Sequence, residues 1–144
     1  MGDAKLRRKA LVKKKREELG LKYKKMYWLM GRRSALSIQK KLMLYKQILE
    51  PVWTYGIQLW GYTKQSNTDI IQRFQNKVLR NIVGAPWYIR NADLHRDLQV
   101  EMVKNEIGNF AKKHEERLLH HVYFEAISCS TTVNWCEGLK EENL

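Results

Sequence analysis

The chain has 144 residues, 44% of them hydrophobic, with 27 Lys and Arg against 15 Asp and Glu for a formal net charge of +12. That length fits one domain and that hydrophobic share can fill a core, which excludes a chain disordered throughout. So basic a balance predicts attraction to polyanions, nucleic acid first and acidic membrane surfaces second, and is silent about fold.

The charge is uneven. Residues 1–33 carry 13 basic and 3 acidic side chains, whereas residues 125–144 carry 1 and 4. Cys129 and Cys136 are the only cysteines. They match neither a zinc knuckle nor a disulfide framework, so a reducing intracellular compartment, nuclear or cytoplasmic, is expected. No apolar run approaches the roughly 20 residues of a membrane span, and the charged N-terminus is unlike a secretory leader, so no membrane partner is expected.

In chain order, residues 1–16 read as a basic arm, a frayed helix or a solvated segment. From Leu19 the apolar residues Tyr23, Met26, Tyr27 and Met30 recur at helical steps until Gly31 ends the pattern. Ser34 is expected to cap a second helix with the stripe Ile38, Leu42, Tyr45, Leu49, Val52, Gly56, Leu59, which Pro51 should kink or split. Thr68 and Asp69 are expected to open a third helix, with Ile70, Ile71, Phe74, Val78 and Ile82 inward, and Gly84-Ala85-Pro86 to stop it. Asn91 should cap a short helix to Leu98, and a long one should span about Val100 to Val122. No period-two alternation appears. The expectation is an all-α bundle of four to five helices, with an arm at 1–16, a helical domain at 17–122 and a disordered tail at 123–144.

Several constellations have two readings. The run Pro51 to Gly61 is dense in aromatics. Its rings could stack bases, but large rings at helical spacing more often fill a core, so Tyr45, Trp53, Tyr55, Trp60, Phe74 and Trp87 are assigned to the interior. Arg73, Lys77 and Arg80 fall at i, i+4 and i+7, a stripe that suits successive phosphates or an ordinary solvated face. Arg32, Arg33, Lys40 and Lys41 in adjoining segments tip the balance toward a polyanion surface. Lys13-Lys14-Lys15-Arg16 has the form of a nuclear-localisation cluster or nucleic-acid arm.

Chemistry is harder to find. His95, His114, His120, His121 and Cys129 lack the spacing of a metal site, and Asp93, Asp97 and Glu101, with Arg96 among them, read as solvated charges. No phosphate-cradling glycine loop or nucleophile–base pair can be picked out, so no catalytic residue, metal or cofactor is assigned.

The stretch Lys25 to Arg32 resembles the segment just beyond the palm of jockey-type (LINE, non-LTR) retrotransposon reverse transcriptases. So do Lys41-Leu42-Met43-Leu44-Tyr45-Lys46-Gln47-Ile48-Leu49, Pro51 to Gly61, the block Ile71 to Arg80, Ala85-Pro86-Trp87-Tyr88, Asn91 and Asp97-Leu98. The likeness covers about residues 16 to 121. It implies a thumb-like helical region of an RNA-directed DNA polymerase, with template–primer duplex, an RNA–DNA hybrid or DNA, as partner, and Arg73, Lys77 and Arg80 as backbone contacts. The departures are equally specific. The sequence has no Asp-Asp pair such as the palm uses to hold metals, and residues 1–15 and the segment after His121 leave the family pattern. The expectation is a truncated remnant without its palm, unable to polymerise alone. The alternatives are a helical interaction module captured by another gene and the end fragment of an active polymerase.

Overall fold

The computed structural model describes residues 2–141, with side chains described as far as residue 128. Among these residues every regular element is helical: α1 (Gly2–Met30), α2 (Ile38–Leu44), a π-helical turn (Tyr45–Leu49), α3 (Glu50–Thr54), α4 (Ile57–Trp60), α5 (Gln65–Val83), α6 (Asn91–Leu98) and α7 (Val103–Glu141). The all-α expectation holds. No helix among the described residues is long and apolar enough to cross a membrane. Two compact units are present, Met1–Gly108 and Asn109–Leu144. The expected boundaries at 16 and 122 fall inside α1 and α7, and much of the expected tail lies outside the residues whose side chains are described.

Helix α1 is built of good helix formers, with Val12 its one β-branched residue and Asp3 suitably placed in the first turn. Its buried residues, Val12, Leu19, Tyr23 and Met30, form one narrow seam from Val12 to the end of the helix, and the turns before Val12 are exposed. Val12 extends that seam into the basic segment. Gly31 ends the helix, its N–H bonding to the Tyr27 carbonyl at 2.8 Å.

The return strand of the bundle is a broken helix from Ile38 to Trp60. It starts later than the sequence suggests, because Ser37 rather than Ser34 is the cap, accepting from the Lys40 N–H. The Ser34 hydroxyl accepts instead from the Leu36 N–H within the preceding turn. Pro51 supplies no N–H, and the chain accommodates it by widening into the π turn just before α3. Gly56, at φ 70°, then breaks the helix again. These two interruptions rotate the apolar stripe. Tyr45, Leu49 and Val52 stay inside, but Ile38 and Leu59 face outward and Trp53, Ile57 and Trp60 take the core. Trp60 Nε1 donates to the Trp53 carbonyl at 3.1 Å, locking α3 to α4. Tyr45 Oη and Trp53 Nε1 lie near each other and near Gln75 without a well-formed hydrogen bond, and burial pushes the tyrosine far above its ordinary pKa.

Helix α5 begins at Gln65, three residues before the expected Thr68, whose hydroxyl turns back to the Gln65 carbonyl at 2.8 Å inside the first turn. Ile71, Phe74, Gln75, Val78, Leu79 and Ile82 make its buried face. Gly84, at φ 70°, closes the helix, and Ala85 N–H bonds to the Arg80 carbonyl. Beyond it, side-chain amides do the joining. Gln72 Oε1 accepts from the Val103 N–H at 2.8 Å and so caps α7, while Gln75 Nε2 donates to the Glu101 carbonyl. Buried His95 meets the Val100 carbonyl through Nδ1 and Asn76 through Nε2.

The direction of each helix follows from these contacts. Arg16 lies over Phe74, and Tyr23 bonds to Asn81, so each α5 residue sits 58 positions after its α1 neighbour and the helices run parallel. Lys15 over Tyr55, and Lys22 beside Gln47 and Ile48, place the return segment antiparallel to α1. The first unit is an up–down–up bundle carrying α6 and the start of α7.

The Glu50 carboxyl is held above the usual carboxylate range, first by burial and then by the like charge of Glu106, with Lys46 opposing. Since the folded-state pKa exceeds the unfolded one, ionised Glu50 weakens the fold, and stability rises as pH falls through its transition. Glu50→Gln is expected to raise the urea midpoint at pH 7 and to lose that advantage once the pH falls below the ordinary glutamate range, where Glu50 is neutral in both the folded and the unfolded chain. Circular dichroism at pH 7 and at acid pH measures it, and equal midpoints at pH 7 would refute the cost of the ionised Glu50 carboxyl.

Candidate nucleic-acid interface

Two parallel helices packed side by side leave a furrow between them, and here the furrow is basic. In the C-terminal halves of α1 and α5 it opens to a groove of about 870 Å³ whose lining includes Arg16, Gly20, Tyr23, Lys24, Tyr27, Phe74, Lys77 and Asn81, with Glu17 as its one acid. Toward the N-terminal ends of both helices a second groove of about 390 Å³ is lined by Lys5, Arg8, Lys9, Tyr62, Lys64, Ser66 and Asn67 among others, with no acid. On α1 the residues Lys5, Lys9, Arg16, Gly20, Tyr23 and Tyr27 recur at helical steps of three, four and seven. They share one face, so the two grooves lie along the same side of α1 as a two-part trough, divided where Val12 is fully buried and roughly 33 Å from end to end at 1.5 Å per residue.

The floor is aromatic. Tyr23 meets both Tyr27 and Phe74 edge-on, with centroids at 5.7 and 5.9 Å. Its hydroxyl accepts from Asn81 Nδ2 at 2.7 Å, and burial raises its pKa, so it stays neutral. The Arg16 guanidinium lies 4.5 Å from the Phe74 ring centre, which holds a cation over the floor. Gly20 leaves the wall low: a Cβ there would meet only the end of the Arg16 side chain, at 3.2 Å.

The sequence-derived cations divide by environment. Arg73 and Lys77 are exposed on α5, and Lys77 lines the trough. Arg80 does not continue the stripe as a free charge. Its guanidinium donates to the Pro86 carbonyl at 2.7 Å, the Ile89 carbonyl at 2.8 Å and Asn91 Oδ1 at 2.7 Å. Arg32 bonds to the Gly84 and Ala85 carbonyls from the other side. Lys41 is buried, and its Nζ donates to the Gly31 carbonyl at 2.8 Å, so it caps the end of α1 and is withdrawn from any phosphate. Arg33 and Lys40 are exposed but line neither groove. In the basic run Lys13 to Arg16, Lys13 and Lys14 are exposed, whereas Lys15 and Arg16 lie over the Tyr55 and Phe74 rings.

Of the six rings assigned to the core, Tyr45, Trp53, Trp60 and Phe74 are buried, but Tyr55 is 78% and Trp87 88% exposed. Tyr55 is turned out by the Gly56 break, and Trp87 sits on an exposed turn between α5 and α6. Asn91 is the first residue of α6 rather than its cap, since Arg80 takes its side chain. Among the acids, Arg96 pairs with Asp93 and Asp97, and no group of three possible metal ligands converges among the described residues. What sequence reasoning missed is the α1 side of the trough. The signal was present, since Lys5, Lys9, Arg16, Tyr23 and Tyr27 share a face, but only pairing with α5 gives that face a wall.

Three relatives bear on the family. A probable RNA-directed DNA polymerase from transposon X-element of Drosophila melanogaster is 46% identical over 106 residues, covering 74% of this chain and 12% of that protein. The RNA-directed DNA polymerase from mobile element jockey of Drosophila melanogaster is 42% identical over 100 residues, covering 69% and 11%, and its namesake from Drosophila funebris is 41% identical over 97, covering 67% and 11%. The chain is therefore homologous to a segment of jockey-type transposon polymerases, as its motifs suggested, and spans about a tenth of the length of these curated relatives. No family model matches it, and no solved structure does.

Replacing the Arg80 fork by an ammonium should release the turn it holds. Arg80→Lys is expected to cost about 1–3 kcal/mol in urea unfolding and to speed amide exchange at Ile89, whose N–H bonds to the Pro86 carbonyl. Unchanged exchange there would show that the turn is held by something else.

Proposed function

We propose that this chain is a non-catalytic, thumb-like piece of a retrotransposon RNA-directed DNA polymerase that binds duplex nucleic acid, an RNA–DNA hybrid or DNA, by its backbone. The observation that carries the reading is the trough: an aromatic floor with cations along both walls and at the shared N-terminal end of α1 and α5. The relatives are named as RNA-directed DNA polymerases, which makes template–primer the natural polyanion. The sequence offers no Asp-Asp pair, so polymerisation would need a palm supplied elsewhere in the parent protein.

In this arrangement Lys5, Lys9, Lys64 and Lys77 meet phosphates as free charges. Arg16 stays over Phe74 and presents its edge. The N-terminus of α5 adds partial positive charge at the same end of the trough as Lys5, Lys9 and Lys64. Arg32, Lys41 and Arg80 shape the surface without touching the ligand. Binding by this route is electrostatic and indifferent to base sequence.

A second reading, docking of a partner protein, draws on the second unit, where α7 exposes Leu119, Val122, Tyr123 and Phe124. Salt separates the two, since counterion release makes phosphate binding fall steeply with ionic strength and apolar docking barely responds.

A short RNA–DNA hybrid titrated by fluorescence anisotropy at several salt concentrations is expected to give a log–log slope of about −3.6, equivalent to roughly four phosphates. Lys9→Ala and Lys77→Ala should each flatten the slope by about one. A slope near zero would refute the assignment.

Gly20→Glu provides a test from the opposite direction. It replaces glycine with a better helix former, by about 0.5 kcal/mol, so the fold should be kept or strengthened. It also sets a carboxylate in the trough, and affinity for the hybrid should fall about tenfold or more. Equal affinity would place the nucleic acid on another face.

A further inference from the structure

One feature lies outside the trough. Between α5 and α6 the chain makes a tight turn in which the Ile89 N–H bonds to the Pro86 carbonyl at 3.3 Å, with Trp87 and Tyr88 at its two central positions. Turn tips favour Gly, Asn, Asp and Ser, which bend easily and bond to water or to their own backbone. Two large rings at such a tip are costly, and here they are 88% and 70% exposed. They stand edge-on to each other, centroids 6.1 Å apart.

The turn is also held unusually firmly. Arg80 grips both of its flanking carbonyls, Pro86 O and Ile89 O, together with Asn91 Oδ1. Arg32 reaches the carbonyls of Gly84 and Ala85 just before it. Pro86 restricts the backbone further. Two guanidiniums therefore fix the base of a turn whose tip rings are largely exposed.

We propose that Trp87 and Tyr88 form a stacking platform for unpaired bases at the end of the nucleic acid that the trough holds. This rests on the nucleic-acid reading of the trough and adds a base contact to a surface otherwise limited to phosphates. Charge selects the occupant. From residue 70 to residue 92 the chain carries Arg73, Lys77, Arg80 and Arg90 and no acid, which suits a polyanion. The turn begins five residues after Asn81, which lines the trough near the end of α5, so a strand leaving the trough at that end reaches the turn next. Bases of any identity can stack on the rings because every base has a π-face. Preorganisation by Arg32 and Arg80 means that little ordering remains when a base arrives. Arg80 is thus a positioning residue.

The experiment compares a ten-nucleotide oligothymidylate with an abasic strand of the same length, which has the same phosphates and no bases. Both are titrated at one salt concentration against the full chain, a Trp87→Ala/Tyr88→Ala double variant and Trp87→Phe. The unaltered chain is expected to favour the base-bearing strand by about five- to hundred-fold, the span of one stacked base. The double variant should bring that ratio close to one while keeping its affinity for the abasic strand and its melting temperature, since the rings bury little. Trp87→Phe should keep most of the preference. A ratio of one in the unaltered chain, or a ratio that survives in the double variant, overturns the platform and leaves the trough standing. Failure of both strands to bind also overturns the platform, and the hybrid titration alone then decides the trough.

Discussion

The parallel register of α1 and α5 is the constraint on which the rest of the first unit depends. Helices that run the same way cannot be joined by a short turn, so the chain must travel back along their whole length before α5 begins. The segment from Ile38 to Trp60 does this, and its π turn, Pro51 and Gly56 are the devices that keep Tyr45, Trp53 and Trp60 turned inward despite two interruptions. The register also brings the N-terminal ends of two long helices together. The partial positive charge at the start of α5 adds to the charges of Lys5, Arg8, Lys9 and Lys64, so that end of the bundle repels itself and attracts anions.

Chemistry then sorts cations that sequence treats as equivalent. Guanidinium forks suit carbonyl pairs and ring faces, and Arg80, Arg32 and Arg16 are used in that way. Lys41 is drawn inside because a helix C-terminus needs a donor at Gly31. The cations left for a ligand are mostly flexible lysines at the trough walls. A count of positive charge therefore overstates the binding surface, and which residues remain free is decided by nearby carbonyls and rings that lie far off in sequence.

Much of the fold was legible because its signals are local. The helical periodicity of α5, the stop at Gly84 and the disturbance at Pro51 all act within a few residues, and the structure shows each of them. The helix starts at Ile38 and Gln65 were missed because several polar residues competed to be the cap and tertiary packing chose among them. Tyr55 and Trp87 were assigned to the core because aromatic residues usually are; one lies beside a glycine break and the other on a clasped turn, and neither arrangement has a periodic signature. The stripe through Arg80 was legible as geometry, but its three acceptors lie six to eleven residues further on. The trough was not legible at all as a trough, since it exists only once α1 meets α5 at a separation of 58 residues. The family likeness was carried in part by Ile71 to Arg80 and Ala85 to Tyr88, which contain the clasping Arg80 and the two rings of the turn.

The most direct measurement is a nuclear magnetic resonance titration of the isotope-labelled chain with a short RNA–DNA hybrid, mapping amide shifts residue by residue. The account predicts that the largest shifts fall at Lys9, Gly20 and Lys24 on α1 and at Asn67 and Lys77 on α5, all lining the trough. Shifts centred instead on Lys22, Gln47 and Tyr55, across α1 from the trough, would contradict it.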